Sequence, residues 1–174
     1  VGTRMDTFIY ERVSGKFAID EILKEAELEL EERYDDQDGV KEHCYWRSEF
    51  WGKLMLSAVR VCQLKKDENR KEDIRNSVYR VLSYQDDDGY LCTYLDKDLI
   101  VTHDKDLFNW NVWGRKYILW ALIEAAMLLD DEHILNCAVN LLDHLIKQIN
   151  EQNLRVKDTG VIDGMPASSI LKPL

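Results

Sequence analysis

Apolar residues recur at steps of three and four positions along most of the chain, and this spacing predicts five α-helices. The predicted helices cover Gly15–Tyr34, Ser48–Cys62, Asn69–Gln85, Trp110–Asp130 and Glu132–Asn150. Ser48 is a suitable N-cap for the second helix, because its hydroxyl can accept a hydrogen bond from the first helical turn. No segment alternates convincingly as a strand, although "DGYLCTYL" at 88–95 fits a short extended piece. The pattern therefore predicts an all-α fold.

The fourth predicted helix is apolar on all sides, whereas the fifth is apolar on one side. Between Tyr117 and Leu129 the only charged residue is Glu124. Such a helix is surrounded by protein, since it is shorter than the roughly 20 residues that a membrane span needs. The contrast indicates an inner and an outer layer of helices. "YDDQDG" begins at Tyr34 and "YQDDDG" at Tyr84, and this weak repeat favours stacked helical hairpins.

The bulk composition excludes several classes of function. A chain of 174 residues is long enough for one domain, and its net charge of −10 disfavours nucleic acids and anionic membranes as partners. The N-terminus lacks the order of a signal peptide, although a leader removed earlier would leave no trace. The four cysteines are scattered, which favours buried thiols over a metal site. We therefore expect a cytoplasmic protein that binds no metal.

The segment "YQDDDGYLCTY", from Tyr84 to Tyr94, is the first candidate for chemistry. An EF-hand loop with Gly89 at its sixth position would begin at Tyr84 and end at Leu95, and neither residue suits calcium. Aspartates before a glycine are typical of a helix end, but they do not explain Tyr90 and Tyr94. The tyrosines either pack against the core or stack on a sugar, with Asp88 behind them to accept hydrogen bonds from hydroxyls.

The second candidate is "FNWNVWGRKY" at 108–117, where the inner helix begins. In one interpretation its aromatics pack, and Arg115 and Lys116 reach solvent or a nearby acid. In the other, Trp110 and Trp113 offer stacking faces to a ligand, and Arg115 anchors its hydroxyls or carboxylate. Glu49 either favours the dipole of its helix or points into the same pocket. The remaining candidates are assigned no ligand role, among them His144, which is expected to face solvent.

Four segments resemble glycoside hydrolase family 127, the β-L-arabinofuranosidase-like bacterial proteins. In order they read "EFWGKLMLSAVRVCQ", "SYQDDDGYLCTY", "NVWGRKYILWALIEAAMLL" and "DGMPASSILKPL". The resemblance implies an (α/α)₆ toroid, with six hairpins around a central pocket, followed by β-sandwich domains. Residues 1–174 would then form about half of the ring, in a chain that lacks the C-terminal half.

The resemblance also implies a chemistry that this part of the protein does not carry alone. Members of the arabinofuranosidase branch use a zinc-bound cysteine nucleophile and a glutamate acid/base, which lie in the later half of the ring. No cysteine here matches that motif, so zinc is expected only in the missing half and the catalytic residues stay unassigned. Gly114 and Ala167 stand where that branch tends to place sugar-contacting histidines, which leaves the sugar open.

The sequence thus predicts an inactive N-terminal part of a glycoside hydrolase that acts on glycan-derived oligosaccharides. The substrate-binding residues that it predicts are Glu49, Asp88, Tyr90, Tyr94, Trp110, Trp113 and Arg115. One alternative is a non-catalytic interaction module that forms homo-oligomers through exposed inner helices. Another is a sugar epimerase or lyase on the same toroid.

Overall fold

The structure is a computed structural model, and it describes residues 47–66, 68–94, 97, 100–101, 109–160 and 164–173. The helix predicted at 15–34 and the "YDDQDG" segment lie outside these residues. The described helices are α1 (Arg47–Lys65), α2 (Glu68–Leu82), α3 (Asn111–Leu129), α4 (Glu132–Glu151) and the short α5 (Met165–Ser168). Two 3₁₀ turns, Val156–Asp158 and Ser169–Leu171, flank α5. The all-α prediction is confirmed, since the only strand-like pairing in the described part is an isolated bridge between Val101 and Gly160.

α1 and α3 lie side by side and run in the same direction. Their backbones approach closely, because a Cβ on Gly52 would come within 2.6 Å of the Tyr117 backbone and one on Gly114 within 3.1 Å of Ser48. The contact between residues 48 and 114 is followed by the contact between residues 52 and 117 in the same order along both helices, so α1 and α3 are parallel. Trp51 and Met55 of α1 are completely buried at this interface with Ile118 and Leu122 of α3.

α2 and α4 form the second layer and are also parallel to each other. Arg75 pairs with Asp131 at 2.8 Å, and the Gln85 side chain donates to the Cys137 carbonyl at 2.9 Å. Asp131 also caps α4, where its carboxylate accepts from two backbone N–H groups. α3 is buried nearly all round and α4 on one side, as the apolar patterns predict. None of the described helices has the length and apolarity to cross a membrane.

The acidic turn after α2 is fastened to α4. α2 ends at Leu82, three residues earlier than predicted, and the Asp86 N–H donates to the Tyr90 carbonyl at 2.9 Å. Gly89 has a φ of 90°, and a Cβ there would lie 2.4 Å from the Asn140 carbonyl oxygen. Glycine is therefore required both by the left-handed backbone and by the close approach of α4.

The prediction that Ser48 caps its helix is wrong, because Ser48 already lies inside α1. The cap comes from the loop instead: the Thr93 hydroxyl accepts from the Ser48 N–H at 3.3 Å. The Thr93 N–H in turn donates to the Ser48 hydroxyl at 2.8 Å. These buried bonds connect the loop after α2 to the N-terminal end of α1, beside the start of α3.

Candidate functional site

The seven predicted site residues lie at one end of the fold, where α1 and α3 begin and the loop after α2 packs against them. They fall into two groups that meet at Trp110. Asp88, Tyr90, Tyr94 and Arg115 belong to a buried polar network between the loop, α3 and α4. Trp110, Trp113 and Glu49 belong to a half-exposed surface on α3 and α1.

The two tyrosines connect the loop to α3. The Tyr90 hydroxyl donates to the Tyr94 carbonyl at 2.6 Å, and the backbone N–H of Trp110 donates to the Tyr94 hydroxyl at 2.7 Å. Each tyrosine is only 3% exposed. The packing interpretation therefore describes their present surroundings, and their contact with a sugar stays a prediction.

Arg115 is fully buried, at 0% exposure. Its guanidinium lies 4.5 Å from the centre of the Tyr90 ring, and one terminal nitrogen donates to the Lys97 carbonyl at 3.3 Å. The other terminal nitrogen lies 3.3 Å from Nδ1 of His144. An arginine only donates, so Nδ1 must accept and the proton of the neutral imidazole must be on Nε2. The prediction that Arg115 reaches solvent or an acid is thus wrong.

The expectation that His144 faces solvent is also wrong. Its side chain is 11% exposed, its ring lies 5.3 Å from the Tyr90 ring, and its Nε2 lies 3.6 Å from an Asp88 oxygen. His144 lies one helical turn after Leu141 and one turn before Gln148, and both are buried, so the ring lies at the edge of the buried face of α4. Sequence periodicity could not reveal this, since the position falls outside the apolar stripe of α4.

Asp88 completes the network at the surface. Lys97 donates to it at 2.6 Å and also lies 3.4 Å from Asp86. The Tyr90 N–H donates to the other Asp88 oxygen at 3.2 Å. The hydrogen bond from Lys97 holds the pKa of Asp88 below its usual value. Asp88 is therefore an ionised acceptor at neutral pH.

The second group is a row of half-buried rings along one face of α3, named here the aromatic stripe: Trp110, Trp113, Tyr117 and Trp120. The first three rings meet edge to face, with centres 6.0 Å apart for Trp110 and Trp113 and 5.2 Å apart for Trp113 and Tyr117. Spacings of three and four residues place all four on the same side of a helix. The stripe offers apolar faces that are partly open to solvent.

Lys116 is the site residue that the sequence analysis missed. It is 4% exposed, and its ammonium lies 3.7 Å from the centre of the Trp113 ring and 3.8 Å from that of Tyr117. Burial lowers the pKa of Lys116 to about 8, against the opposing effect of the Glu49 carboxylate. The only available signal was the order "WGRKY", in which a lysine stands between two aromatics.

Glu49 lies in the first turn of α1 and forms an ion pair with Lys53. The Lys53 ammonium lies 5.0 Å from the Tyr117 ring, so this pair borders the aromatic stripe. Burial opposes the charge on Lys53, but the hydrogen bond and charge of Glu49 outweigh it and raise the Lys53 pKa. Both interpretations of Glu49 remain compatible with this position, because the first turn of α1 is next to the stripe.

The cysteines of the described segments do not fit the zinc-thiolate centre that the family resemblance implies. Cys62, Cys92 and Cys137 are buried and lie on different elements. Within residues 47–66, 68–94, 97, 100–101, 109–160 and 164–173, no group of three or more histidine, cysteine, aspartate or glutamate side chains could hold a metal ion. Cys44 lies outside these residues.

Comparison with known proteins assigns the chain to a family. Residues 6–161 match the family model for the β-L-arabinofuranosidase catalytic domain of glycoside hydrolase family 127. No curated protein and no solved structure matches the chain significantly. The matched residues include all seven predicted site residues, Lys116, and the helices α1 to α4 that position them. Because the match covers most of the sequence, the chain belongs to the glycoside hydrolase family 127 catalytic-domain family.

Proposed function

We propose that the chain is the N-terminal helical part of a glycoside hydrolase that acts on glycan-derived oligosaccharides. The observation that carries the proposal is the aromatic stripe, which lies beside Glu49 and within one family-matched domain. Sugar rings stack their apolar C–H faces on aromatic side chains, while carboxylates accept hydrogen bonds from their hydroxyls. A row of half-exposed rings at the beginning of an inner helix has the chemistry of a substrate wall.

The helix directions support a toroid architecture. α1 and α3 are parallel inner helices, and α2 and α4 are parallel outer helices. Successive hairpins of an (α/α)₆ ring have this relation. A closed ring needs six hairpins, so we expect further hairpins to complete the pocket and to supply the groups that cleave the bond.

Within this arrangement each part has a defined task. Trp110 and Trp113 would stack on sugar rings, and Glu49 would accept hydroxyl hydrogen bonds at the margin. The network of Tyr90, Tyr94 and Arg115 would hold the loop against α3 so that the pocket rim stays in place. Hydrolysis itself requires two groups on opposite sides of the glycosidic bond, and we expect both outside the described residues.

Two assays test the proposal. Tryptophan fluorescence titrated with arabino-oligosaccharides and with other plant-glycan fragments should show saturable binding, because the stripe contains three of the five tryptophans. Aryl glycosides, including an aryl β-L-arabinofuranoside, should not be turned over by the 174-residue chain. Turnover by this chain would contradict the assignment of the catalytic groups elsewhere. Absence of binding to every glycan fragment would contradict the substrate wall.

A second candidate function is oligomerisation, and it is carried by α4. Leu135, Val139 and Ile146 are exposed and lie on one face of this outer helix. A neighbouring hairpin or a second copy of the chain would cover this face. Light scattering after Val139→Lys decides between them: conversion of a dimer into a monomer supports association of copies, and an unchanged monomer leaves the face to a neighbouring hairpin.

A further inference from the structure

Three lysines are placed over the rings of the aromatic stripe. Lys116 contacts Trp113 and Tyr117 at 3.7 and 3.8 Å, and Lys53 lies 5.0 Å from the Tyr117 ring. Lys172, which follows α5, lies 5.2 Å from the Trp120 ring. The lysines come from three different parts of the chain, so tertiary folding gathers them at this surface.

The local charge is opposite to that of the whole chain. The protein has a net charge of −10, but among the described residues the charged groups that act on Lys116 are the Glu49 carboxylate and two further ammonium groups, Lys53 and Lys172. Glu49 is engaged with Lys53. Among the described residues, three lysines and two carboxylates therefore border the row of rings: Glu49, and Glu124, which accepts from the Trp120 indole N–H at 3.4 Å.

Lys116 is also short of hydrogen-bond acceptors. It is 4% exposed, and its described contacts are the two rings and the electrostatic effects of Glu49, Lys53 and Lys172. No carboxylate or carbonyl in the described part of the chain accepts from its ammonium. A cation–π contact replaces only part of the lost hydration of a buried ammonium. The Lys116 ammonium keeps a small accessible area, so an incoming anion would reach it and supply the acceptor that it lacks.

We propose that Lys53, Lys116 and Lys172, together with the aromatic stripe, form a subsite for a carboxylate-bearing sugar, so that the substrate is an acidic oligosaccharide. This inference rests on the proposed function and specifies its substrate class. The rings would stack on the sugar, and its carboxylate would lie between the ammonium groups. Lysine is suited to this task because it acts as a point charge and does not demand the planar geometry that arginine does.

Access is provided by the outer lysines. Lys53 has a side chain that is 49% exposed, Lys172 is exposed, and the rings between them are half-exposed. Lys116 lies deeper than either. A carboxylate that enters between the outer two would reach Lys116 last and lose its water there, which strengthens the charge interaction.

The test compares ligands that differ only in charge. Tri-galacturonic acid and its methyl ester are titrated into the chain with tryptophan fluorescence as the readout, near neutral pH and low salt. We expect the acid to bind at least about fivefold more tightly than the ester, and about 0.5 M salt to abolish the difference. Equal affinity for acid and ester overturns the subsite but leaves the substrate wall of the proposed function intact. Failure of both to bind, when neutral arabino-oligosaccharides do bind, also overturns the subsite.

Variants locate the site. Lys116→Met and, at an exposed position, Lys53→Gln should each remove most of the preference for the acid. Lys147→Gln is the matched control, because Lys147 is exposed on α4 with a side chain that is 71% accessible. The proposal is overturned if the preference for the acid survives in both Lys116→Met and Lys53→Gln, or if it falls equally in the Lys147→Gln control. A sulfated oligosaccharide that binds more tightly than tri-galacturonic acid likewise overturns the carboxylate assignment.

Discussion

Arg115 and Lys116 are neighbours in sequence and both are buried cations of α3, but they face different regions of the molecule. Arg115 belongs to the buried polar network, where the Lys97 carbonyl and His144 accept its hydrogen bonds. Lys116 belongs to the aromatic stripe, where its described contacts are two rings. Burial therefore does not distinguish the two cations, but their contacts do: Arg115 has a carbonyl and an imidazole as acceptors, although its Nε has no partner in the described part of the chain, and Lys116 has neither acceptor.

The largest change in stability is expected when Arg115 is replaced. Arg115→Met removes one of the two donors to the Lys97 carbonyl, the other being the Gln148 side chain, and it also removes the hydrogen bond to Nδ1 of His144 and the cation over Tyr90. We expect it to lower the free energy of unfolding by about 2–4 kcal/mol. Urea denaturation followed by circular dichroism measures the change.

The control for Arg115 is Arg155→Met, which removes an exposed arginine paired with Asp158 at 2.7 Å. Its unfolding midpoint should stay where it is, because exposed ion pairs contribute little. If both variants lower the midpoint equally, the network is not a distinct stabilising unit.

Replacement of Lys116 is expected to change stability in the opposite direction, by raising the free energy of unfolding. Lys116→Met replaces a buried ammonium with an apolar side chain of similar length, and we expect about 1–2 kcal/mol of added stability at pH 7. The pKa of Lys116 is lowered from 10.5 to about 8 in the folded protein. Between those values the unfolded chain binds the proton and the folded chain does not, so wild-type stability rises with pH relative to the variant.

Urea titrations of wild type and variant at pH 7, 8, 9 and 10 test this sign directly. The difference in free energy of unfolding between Lys116→Met and wild type should be largest at or below pH 8 and should shrink toward pH 10.5. An advantage that is constant from pH 7 to pH 10 would mean that Lys116 is not an unusually destabilised ammonium.

The smallest effect concerns the contact that joins the loop to α1. Thr93→Val keeps the shape of the side chain but removes the oxygen that accepts from the Ser48 N–H. We expect a loss of about 1 kcal/mol, the usual contribution of a helix cap. Amide hydrogen exchange should rise in the first turn of α1 before it rises in α3. Faster exchange in both helices at once would show that the cap holds the whole layer and not one end of α1.

Helix positions and layers were accessible from the sequence, and the polar contacts were not. The charge-poor run from Tyr117 to Leu129 predicted the buried α3, and the amphipathic pattern after it predicted α4 within one residue at its end. The surroundings of Ser48 and His144 were predicted wrongly because their partners are distant in the sequence. Ser48 contacts residues 44 and 45 positions away, and His144 contacts Tyr90, which lies before α3. Periodicity reports which side of a helix is apolar, and it carries no information about which polar group meets which.

The sequence by itself determined an all-α chain with one wrapped and one half-exposed helix, because apolar spacing follows the turn of the helix. It also carried the family resemblance, since the motifs are local. Only the tertiary structure decided that Arg115 turns into the buried polar network while Lys116 turns onto the aromatic stripe. The physical reason is that adjacent helical residues differ by about 100° in direction, so their surroundings depend on how α1 and α4 pack against α3.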